Sequence, residues 1–514
     1  MAIPRIMNKY KNVLLSVASG LLAAFAFPKA GLFFLAWVAL VPLLFALSES
    51  KLKQSFFYGL LAGFVFNAIG LYWLVPMLKF QTGSLFQALL ASGLLWVYLA
   101  LYWGVWALLI GLVKKYTPQK YQISSFVIFA PVIWVVLEYI RTYFLTGFPW
   151  MLIGYSQYRF TEIIQISEFT GIYGVSFLII LCNVFFYLWV SAVKNKKYLY
   201  AALGVILVFA VFGAFRMDAF KFYGREIKQA AIVQTNIDQN IKWSSEHKND
   251  IIAQLKKMSG VVAASAAKID LTVWPESVIP GFIPYDKESF QTAVAISRFG
   301  GLNVIGAPHN AENGAQYNAV FAFEASSPAW IAVHNKNHLV PFGEFIPFRN
   351  ELSKFFGVLN TLGDFTRGTD TVVFGSGKIF AGSTICSENF FPDISRRFVL
   401  SGAQVLTNST NDAWFFGSSA QPQHFIMNIF RAVETRKYML VSANTGVSGV
   451  VEASGRIITT SKIGEEKIIT AEFLQNDYKS FYVQHGDWFI YICIALLLVF
   501  AVYASVFNYT KRKK

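Results

Sequence analysis

The sequence predicts an integral membrane α-helical bundle of about eight spans joined to an outward-facing α/β domain. Three observations carry this. Hydrophobic residues make up 55% of the 514 and charged residues only 14%, against about 25% charged in soluble domains. The apolar residues come in continuous runs, and the acidic and basic residues are segregated along the chain. Disorder is excluded by 50 Phe, 24 Tyr and 13 Trp, because a disordered chain cannot bury that much apolar surface. A disulfide scaffold is excluded by the count of three cysteines.

The apolar runs lie near 13–27, 31–48, 55–76, 86–113, 122–140, 163–193, 198–215 and 488–509. A helix needs roughly 20 apolar residues to cross a bilayer, and most of these qualify. The first run is short, and its basic flank (Arg5, Lys9, Lys11) also resembles a signal peptide. A second run begins directly after Pro28, Lys29 and Ala30 with no clear A-x-A site between them, which favours a retained hairpin of two helices.

Charge sets the orientation. Residues 1–215 hold 15 Lys/Arg against 4 Asp/Glu, whereas residues 216–510 hold 25 of each. The net charge of +15 therefore belongs to the apolar part and to the tail Lys511, Arg512, Lys513 and Lys514. A basic excess confined to short loops is a membrane-orientation signal; nucleic-acid binding would need a basic face on a folded surface, and no such partner is expected. With the N-terminus inside, one set of loops carries Arg5, Lys9, Lys11, Lys51, Lys53, Lys114, Lys115, Lys120, Lys194, Lys196, Lys197 and the four tail residues. The opposite loops carry only Lys29, Lys79, Arg141 and Arg159. Seven spans then leave residue 216 outside, and the eighth returns the tail. The expected organisation is a membrane bundle of about seven helices over 1–215, an outward domain over 216–487, and a C-terminal helix with a basic cytoplasmic tail over 488–514. In a two-membrane bacterium the outward side of the inner membrane is the periplasm.

The outward domain reads as α/β. Short β-rich runs recur at Ala230–Thr235, Leu271–Trp274, Leu302–Gly306, Ala319–Phe323, Ile331–Val333, Ile379–Ile385, Val405–Thr407 and Met439–Ser442, with helical patterns at 246–268 and 421–437. Strands alternating with helices favour a layered sheet protein. No Gly-rich phosphate loop follows a strand. Cys182 and Cys493 fall in apolar runs, so Cys386 is the only cysteine of this domain.

Three of these strands run into a polar residue: Thr272–Pro275 into Glu276, Ile331–Asn335 into Lys336, and Gly382–Ile385 into Cys386. Sites in α/β sheets gather at strand ends, so one cleft can receive a carboxylate, an ammonium and a thiol. Singly, each has a bland reading as turn carboxylate, surface charge and small core residue. Jointly they supply a nucleophile, a base and an electrophilic partner.

The segments W-P-E-S (Trp274–Ser277), N-K-N-H-L-V-P-F-G-E-F (Asn335–Phe345), I-C-S-E (Ile385–Glu388) and N-D-A-W-F (Asn411–Phe415) resemble the nitrilase, or carbon–nitrogen hydrolase, superfamily. With the membrane runs, T-G-F-P-W (Thr146–Trp150) and G-Y-S-Q (Gly154–Gln157), the resemblance narrows to the bacterial apolipoprotein N-acyltransferase family. It implies a nitrilase-like αββα sandwich and a catalytic triad of Glu276, Lys336 and Cys386. It implies a phospholipid acyl donor, a thioester on Cys386, and transfer to the amine of an apolipoprotein's diacylglyceryl-cysteine, with no cofactor. Glu276 would act as general base, and Lys336 would face the developing oxyanion together with the backbone N–H of Ser387. Glu344 would hold the lysine or assist the base; its plainer role is pairing with Arg349. Glu388 is either a supporting acid beside the nucleophile or structural. Ser387 stands where this family often has Tyr.

Candidate substrate contacts are Trp243, by resemblance in a mobile loop over the cleft, with Trp414, His424, Trp150 and Tyr155. For Trp150, Tyr155, Trp73, Phe80 and Phe148, near the outer ends of spans, an interfacial aromatic belt is the commoner role. Glu138 and Glu168 are acids in or beside apolar runs, where acids are costly and often functional; pairing with Arg141 or Arg159 would equally brace the helices. His334 and His338 give H-x-x-x-H without the H-E-x-x-H of a zinc site, and His424 with Asp412 lacks a G-x-S-x-G serine. Two rival classes are a membrane-anchored amidase or nitrilase acting on a soluble substrate, which needs one anchor rather than eight, and a transporter with an outward sensing domain, which predicts polar residues lining the spans.

Overall fold

The computed structural model describes residues 3–191, 195–220, 226–325, 327–352 and 364–512; Lys194, Lys513, Lys514 and the end of the run 163–193 lie outside them. The chain divides into two compact units, Met1–Asp218 with His485–Lys514, and Ala219–Gln484.

In the first unit the apolar runs become α1 (Ile3–Phe25), α2 (Val41–Leu47), α3 (Leu52–Gly70), α4 (Leu74–Thr82), α5 (Leu85–Tyr116), α6 (Gln122–Tyr143), the short α7 (Ser167–Thr170), α8 (Ile172–Ser191) and α9 (Lys196–Phe220). Among the described residues, five helices are long and apolar enough to cross a membrane; α3 and α4, bent by 66°, make a sixth if taken as one span. The run 31–48 is not one continuous helix: a 3₁₀ turn, Phe33–Trp37, precedes α2, whose first turn contains Pro42, a residue suited to starting a helix. In lipid, helices associate through close packing of small residues. Gly59 and Gly63 of α3 show this, since a Cβ on either would lie within 3 Å of Trp103 on α5.

Two expectations for this unit need correcting. The ion pair seen for Glu168 among the described residues is with Arg216 of α9, two-pronged at 2.5 and 3.0 Å, rather than with Arg141 or Arg159. Arg216 comes one residue after the boundary drawn from the charge pattern, so it was counted with the polar domain. Trp73, Trp150 and Tyr155 do not form an exposed belt. All three are buried, with the rings of Trp73 and Trp150 4.8 Å apart. Phe80 is exposed as a belt residue would be.

The second unit runs β1 (Glu226–Gln234), α10 (Lys248–Ala263), β2 (Leu271–Val273), α11 (Lys287–Ile296), β3 (Leu302–Asn310), β4 (Gln316–Glu324), β5 (Trp330–Asn335), α12 (Arg349–Leu352), β6 (Val373–Ser376), β7 (Ile379–Ile385), α13 (Pro392–Leu400), β8 (Val405–Thr410), α14 (Ala420–Thr435), β9 (Met439–Ala443), β10 (Gly449–Val451), β11 (Ile457–Thr460) and β12 (Lys467–Gln475). Helix α15 (Phe481–His485) follows, and α16 (Trp488–Arg512) returns to the first unit, where it packs on α6. Two six-stranded sheets form, in the orders β12-β1-β2-β3-β4-β5 and β11-β10-β9-β8-β7-β6.

Alternation along the strands builds the layers. In β1, Ala230 and Ile232 enter the core between the sheets with Val273, Val304, Ala381, Ile385 and Leu440. Their neighbours Ala231 and Val233 face outward onto Ile251, Leu255 and Met258 of α10. Helices α13 and α14 pack on β7 and β9 of the other sheet. The result is a helix–sheet–sheet–helix sandwich, as the family resemblance implies.

The register decides where a site can form. β1, β2 and β3 are parallel and β4 is antiparallel to both β3 and β5, so β5 runs with β1–β3. Their C-terminal ends and the start of β4 share one edge. In the second sheet β7, β8 and β9 are parallel. The sheets are tied at this edge, where the Ser409 hydroxyl donates to the Trp274 carbonyl at 2.9 Å.

Candidate active site

Each predicted triad residue sits on a turn that its local sequence shapes. β2 stops at Pro275, which holds the preceding Trp274 extended; the Trp274 indole is buried and donates to Asn303 at 3.1 Å. The turn then crosses Gly306, where a Cβ would come within 2.3 Å of the Pro275 carbonyl oxygen. Only glycine admits that approach, and it places Glu276. Lys336 follows β5; its N–H donates to the Asn318 carbonyl and its own carbonyl accepts from Gly368, both at 2.8 Å. Cys386 follows β7 with φ +50°, a left-handed conformation that is uncommon outside glycine and marks strained functional turns.

The structure brings together the Glu276, Lys336 and Glu344 side chains. Lys336 Nζ lies 2.9 Å from Glu344 Oε1 and 3.5 Å from Glu276 Oε1. Asn318 Nδ2 donates to both of those oxygens at 2.6 Å. The second oxygen of Glu276 accepts from the Asn411 N–H at 2.8 Å, and that of Glu344 from the Val340 N–H at 2.7 Å. Glu344 therefore holds the lysine rather than Arg349, which pairs with Asp364 at 2.9 Å.

Cys386 is half-buried and free. Burial pushes its thiol up and the nearby Glu276 charge adds to this, outweighing the opposite pull of Lys336. Burial also raises Glu276, but Lys336, Asn318, Lys242 and the thiol itself more than offset it, so the carboxyl stays below the usual range. For Lys336, burial is outweighed by Glu344 and Glu276, and the ammonium is held firmly. At neutral pH the resting site is a neutral thiol beside a charged carboxylate and a charged lysine. Such a site can deprotonate the thiol as a carbonyl is attacked, and can offer a cation to the resulting oxyanion.

The thiol's backbone is held from below. Its carbonyl accepts from Asn408 Nδ2 at 3.1 Å, with His424 Nε2 3.3 Å away. His424 Nδ1 lies 2.7 Å from Asp412, so this histidine, on α14, stands behind Cys386. Glu388 is fully buried. It accepts from the Ile385 N–H at 2.9 Å and from the Asn337 and His338 N–H groups at 2.5 and 3.2 Å. One carboxylate thus ties the cysteine turn to the lysine turn. Ser387 is buried and its hydroxyl has no hydrogen-bond partner among the described residues.

Of the remaining candidates, Trp243 is exposed, Trp414 half-buried, and Trp150 and Tyr155 buried within the other unit. The sequence did not mark Asn318, Asn408 or Lys242 as site residues, and Asn411 entered only as the first residue of N-D-A-W-F. Asn318 had a faint signal as an amide at the head of the apolar run Ala319–Phe323. Among the described residues, no group of three or more His, Cys, Asp or Glu is placed to hold a metal ion.

Comparison with known proteins agrees along the whole chain. Residues 19–185 match the apolipoprotein N-acyltransferase N-terminal domain and residues 229–482 the carbon-nitrogen hydrolase domain. A protein of Geobacter metallireducens named apolipoprotein N-acyltransferase is 34% identical over 98% of this chain and 96% of its own length. One of the same name from Methylococcus capsulatus is 31% identical over 93% of each, and one from Thermotoga maritima 27% identical over 95% of this chain and 93% of its own.

Proposed function

Because this chain belongs to the apolipoprotein N-acyltransferase family, we propose that it moves a fatty acyl chain from a phospholipid, through a thioester on Cys386, onto the amine of a lipoprotein's diacylglyceryl-cysteine. Acyl transfer is the family's activity, and a match that spans both units leaves no room for a singly anchored amidase or a transporter. The observation that carries the residue assignment is the buried cluster of Glu276, Lys336 and Glu344 beside the half-buried Cys386.

In the first half-reaction Cys386 Sγ attacks the ester carbonyl while Glu276 takes the thiol proton. The oxyanion forms near Lys336. Collapse breaks the ester C–O bond, and Glu276 returns the proton to the departing lysophospholipid alcohol. In the second half the acceptor's ammonium gives one proton to solvent, and the free amine attacks the thioester as Glu276 takes a second proton from its nitrogen. The C–S bond breaks, and the proton passes back to the sulfur as the amide is released. Splitting one transfer into two in this way predicts ping-pong kinetics, and the sequence ester, thioester, amide needs no ATP. The loop charge asymmetry supports a catalytic unit on the periplasmic side of the inner membrane.

The test uses the full chain in vesicles containing phospholipid with a labelled acyl chain. A diacylglyceryl-cysteine peptide with a free amine becomes labelled, and the same peptide acetylated at that amine does not. Equal labelling of both, or release of the chain to water alone, contradicts the proposal.

A further inference from the structure

Lys242 takes no part in the steps above, yet its side chain is buried, only 2% exposed, on the segment between β1 and α10. Its Nζ donates to the backbone carbonyl of Glu276 at 3.1 Å. The segment is fastened to the same edge of the sheets by amides. Gln239 accepts from Asn411 Nδ2 at 2.9 Å, and Asn444 both donates to and accepts from the Ile237 backbone at 2.8 Å. Asn411 is also the residue whose N–H holds Glu276.

Charge bookkeeping shows what this cation does. Two carboxylates, Glu276 and Glu344, face one ammonium, Lys336, a sum of −1 in a buried place. Two further buried carboxylates, Asp412 and Glu388, lie outside this group and face His424 at 2.7 Å and His334 at 3.8 Å. Uncompensated buried charge is strongly unfavourable, and Lys242 is the buried cation that brings the group to zero. The balance survives the reaction: when Glu276 becomes neutral by taking the thiol proton, the negative charge passes to the substrate oxygen. Burial pulls the Lys242 ammonium down to about 8, with Glu276 and Cys386 holding it up, so it is mostly charged at neutral pH.

We propose that Lys242 is a positioning residue of the acyl transfer: it fixes the backbone of Glu276 and supplies the second positive charge, so that in both tetrahedral intermediates Glu276, Glu344, Lys336, Lys242 and the substrate oxygen together sum to zero. This rests on Glu276 being the base. In the full-length enzyme, Lys242→Met should slow thioester formation roughly tenfold or more, the factor per unit of lost proton affinity match, with KM for phospholipid unchanged. Lys242→Arg should recover most of the rate. Removing the second carboxylate should remove the charge part of the loss, so Lys242→Met should slow Glu344→Gln by a smaller factor than it slows the wild type. The arginine variant still reads out if the single methionine variant folds poorly. A wild-type rate in Lys242→Met, a change in KM only, failure of the arginine variant to recover, or additive losses in the double variant would overturn the proposal. Thioester formation at the normal rate in Glu276→Gln would instead overturn the assignment of the base.

Discussion

Replacing Glu388 by glutamine tests how the nucleophile is held. The carboxylate serves three backbone N–H groups, two on Oε1 and one on Oε2, and an amide has only one acceptor oxygen. In its better orientation the new amide keeps Asn337 and His338 but turns an N–H₂ toward the Ile385 N–H. One hydrogen bond to a charged acceptor disappears, which costs about 1.5–3 kcal/mol, and two donors then face each other. The turn carrying Cys386 is no longer drawn toward the turn carrying Lys336. A misplacement near 1 Å costs on the order of 100-fold in rate. The assay is single-turnover thioester formation with thermal unfolding in detergent, and both should fall. Acid narrows the stability gap. Burial raises Glu388, but His334 beside it and the Ile385 N–H hold it below the usual carboxylate range. Its contribution is therefore full above the unfolded value near about 4.3 and is lost as pH falls through the lower folded value. A variant with normal rate and normal melting would refute this reasoning.

Three further outcomes follow from the geometry. Lys336→Met leaves Glu276 and Glu344 sharing Asn318 alone, and should cut thioester formation on the order of 1,000-fold; a normal single-turnover rate would make the lysine structural. Gly306→Ala forces Pro275 and Glu276 away from β3 and should cost about 1–3 kcal/mol along with activity. Gly375→Ala, whose Cβ meets Phe380 at an ordinary 3.5 Å, serves as the tolerated control in the same melting assay. Cysteines placed at 246–250 should react with a membrane-impermeant maleimide in intact spheroplasts, and protection there would reverse the orientation.

Two strand ends were legible because their apolar runs stop at residues that could not remain inside the sheet, Glu276 and Lys336, whereas Cys386 stood out as the only cysteine of its domain. Strand lengths were less so. β3 continues through Pro308, His309 and Asn310, and β8 through Asn408, Ser409 and Thr410, because hydrogen-bonded polar side chains satisfy the strand where periodicity shows no apolar residue. β12 is an edge strand of alternating exposure, and its charged residues hid it. The supporting amides were illegible for a different reason. Asn318 is 42 residues from Glu276, and Asn411 is 135, so their value comes only from sheet register. Arg216 was hidden by helix packing instead, since its partner Glu168 lies 48 residues earlier on another helix. Burial of Trp150 and Tyr155 likewise depends on neighbouring helices, whereas sequence gives only their nearness to a span end.

The most direct test of the chemistry is to mix the full-length protein with labelled phospholipid in the absence of acceptor, quench in acid, and map the adduct by mass spectrometry. The acyl chain should appear on Cys386 alone, be released by hydroxylamine, and be absent from Cys386→Ala. An acyl chain found on another residue, or undiminished in Cys386→Ala, would contradict the account.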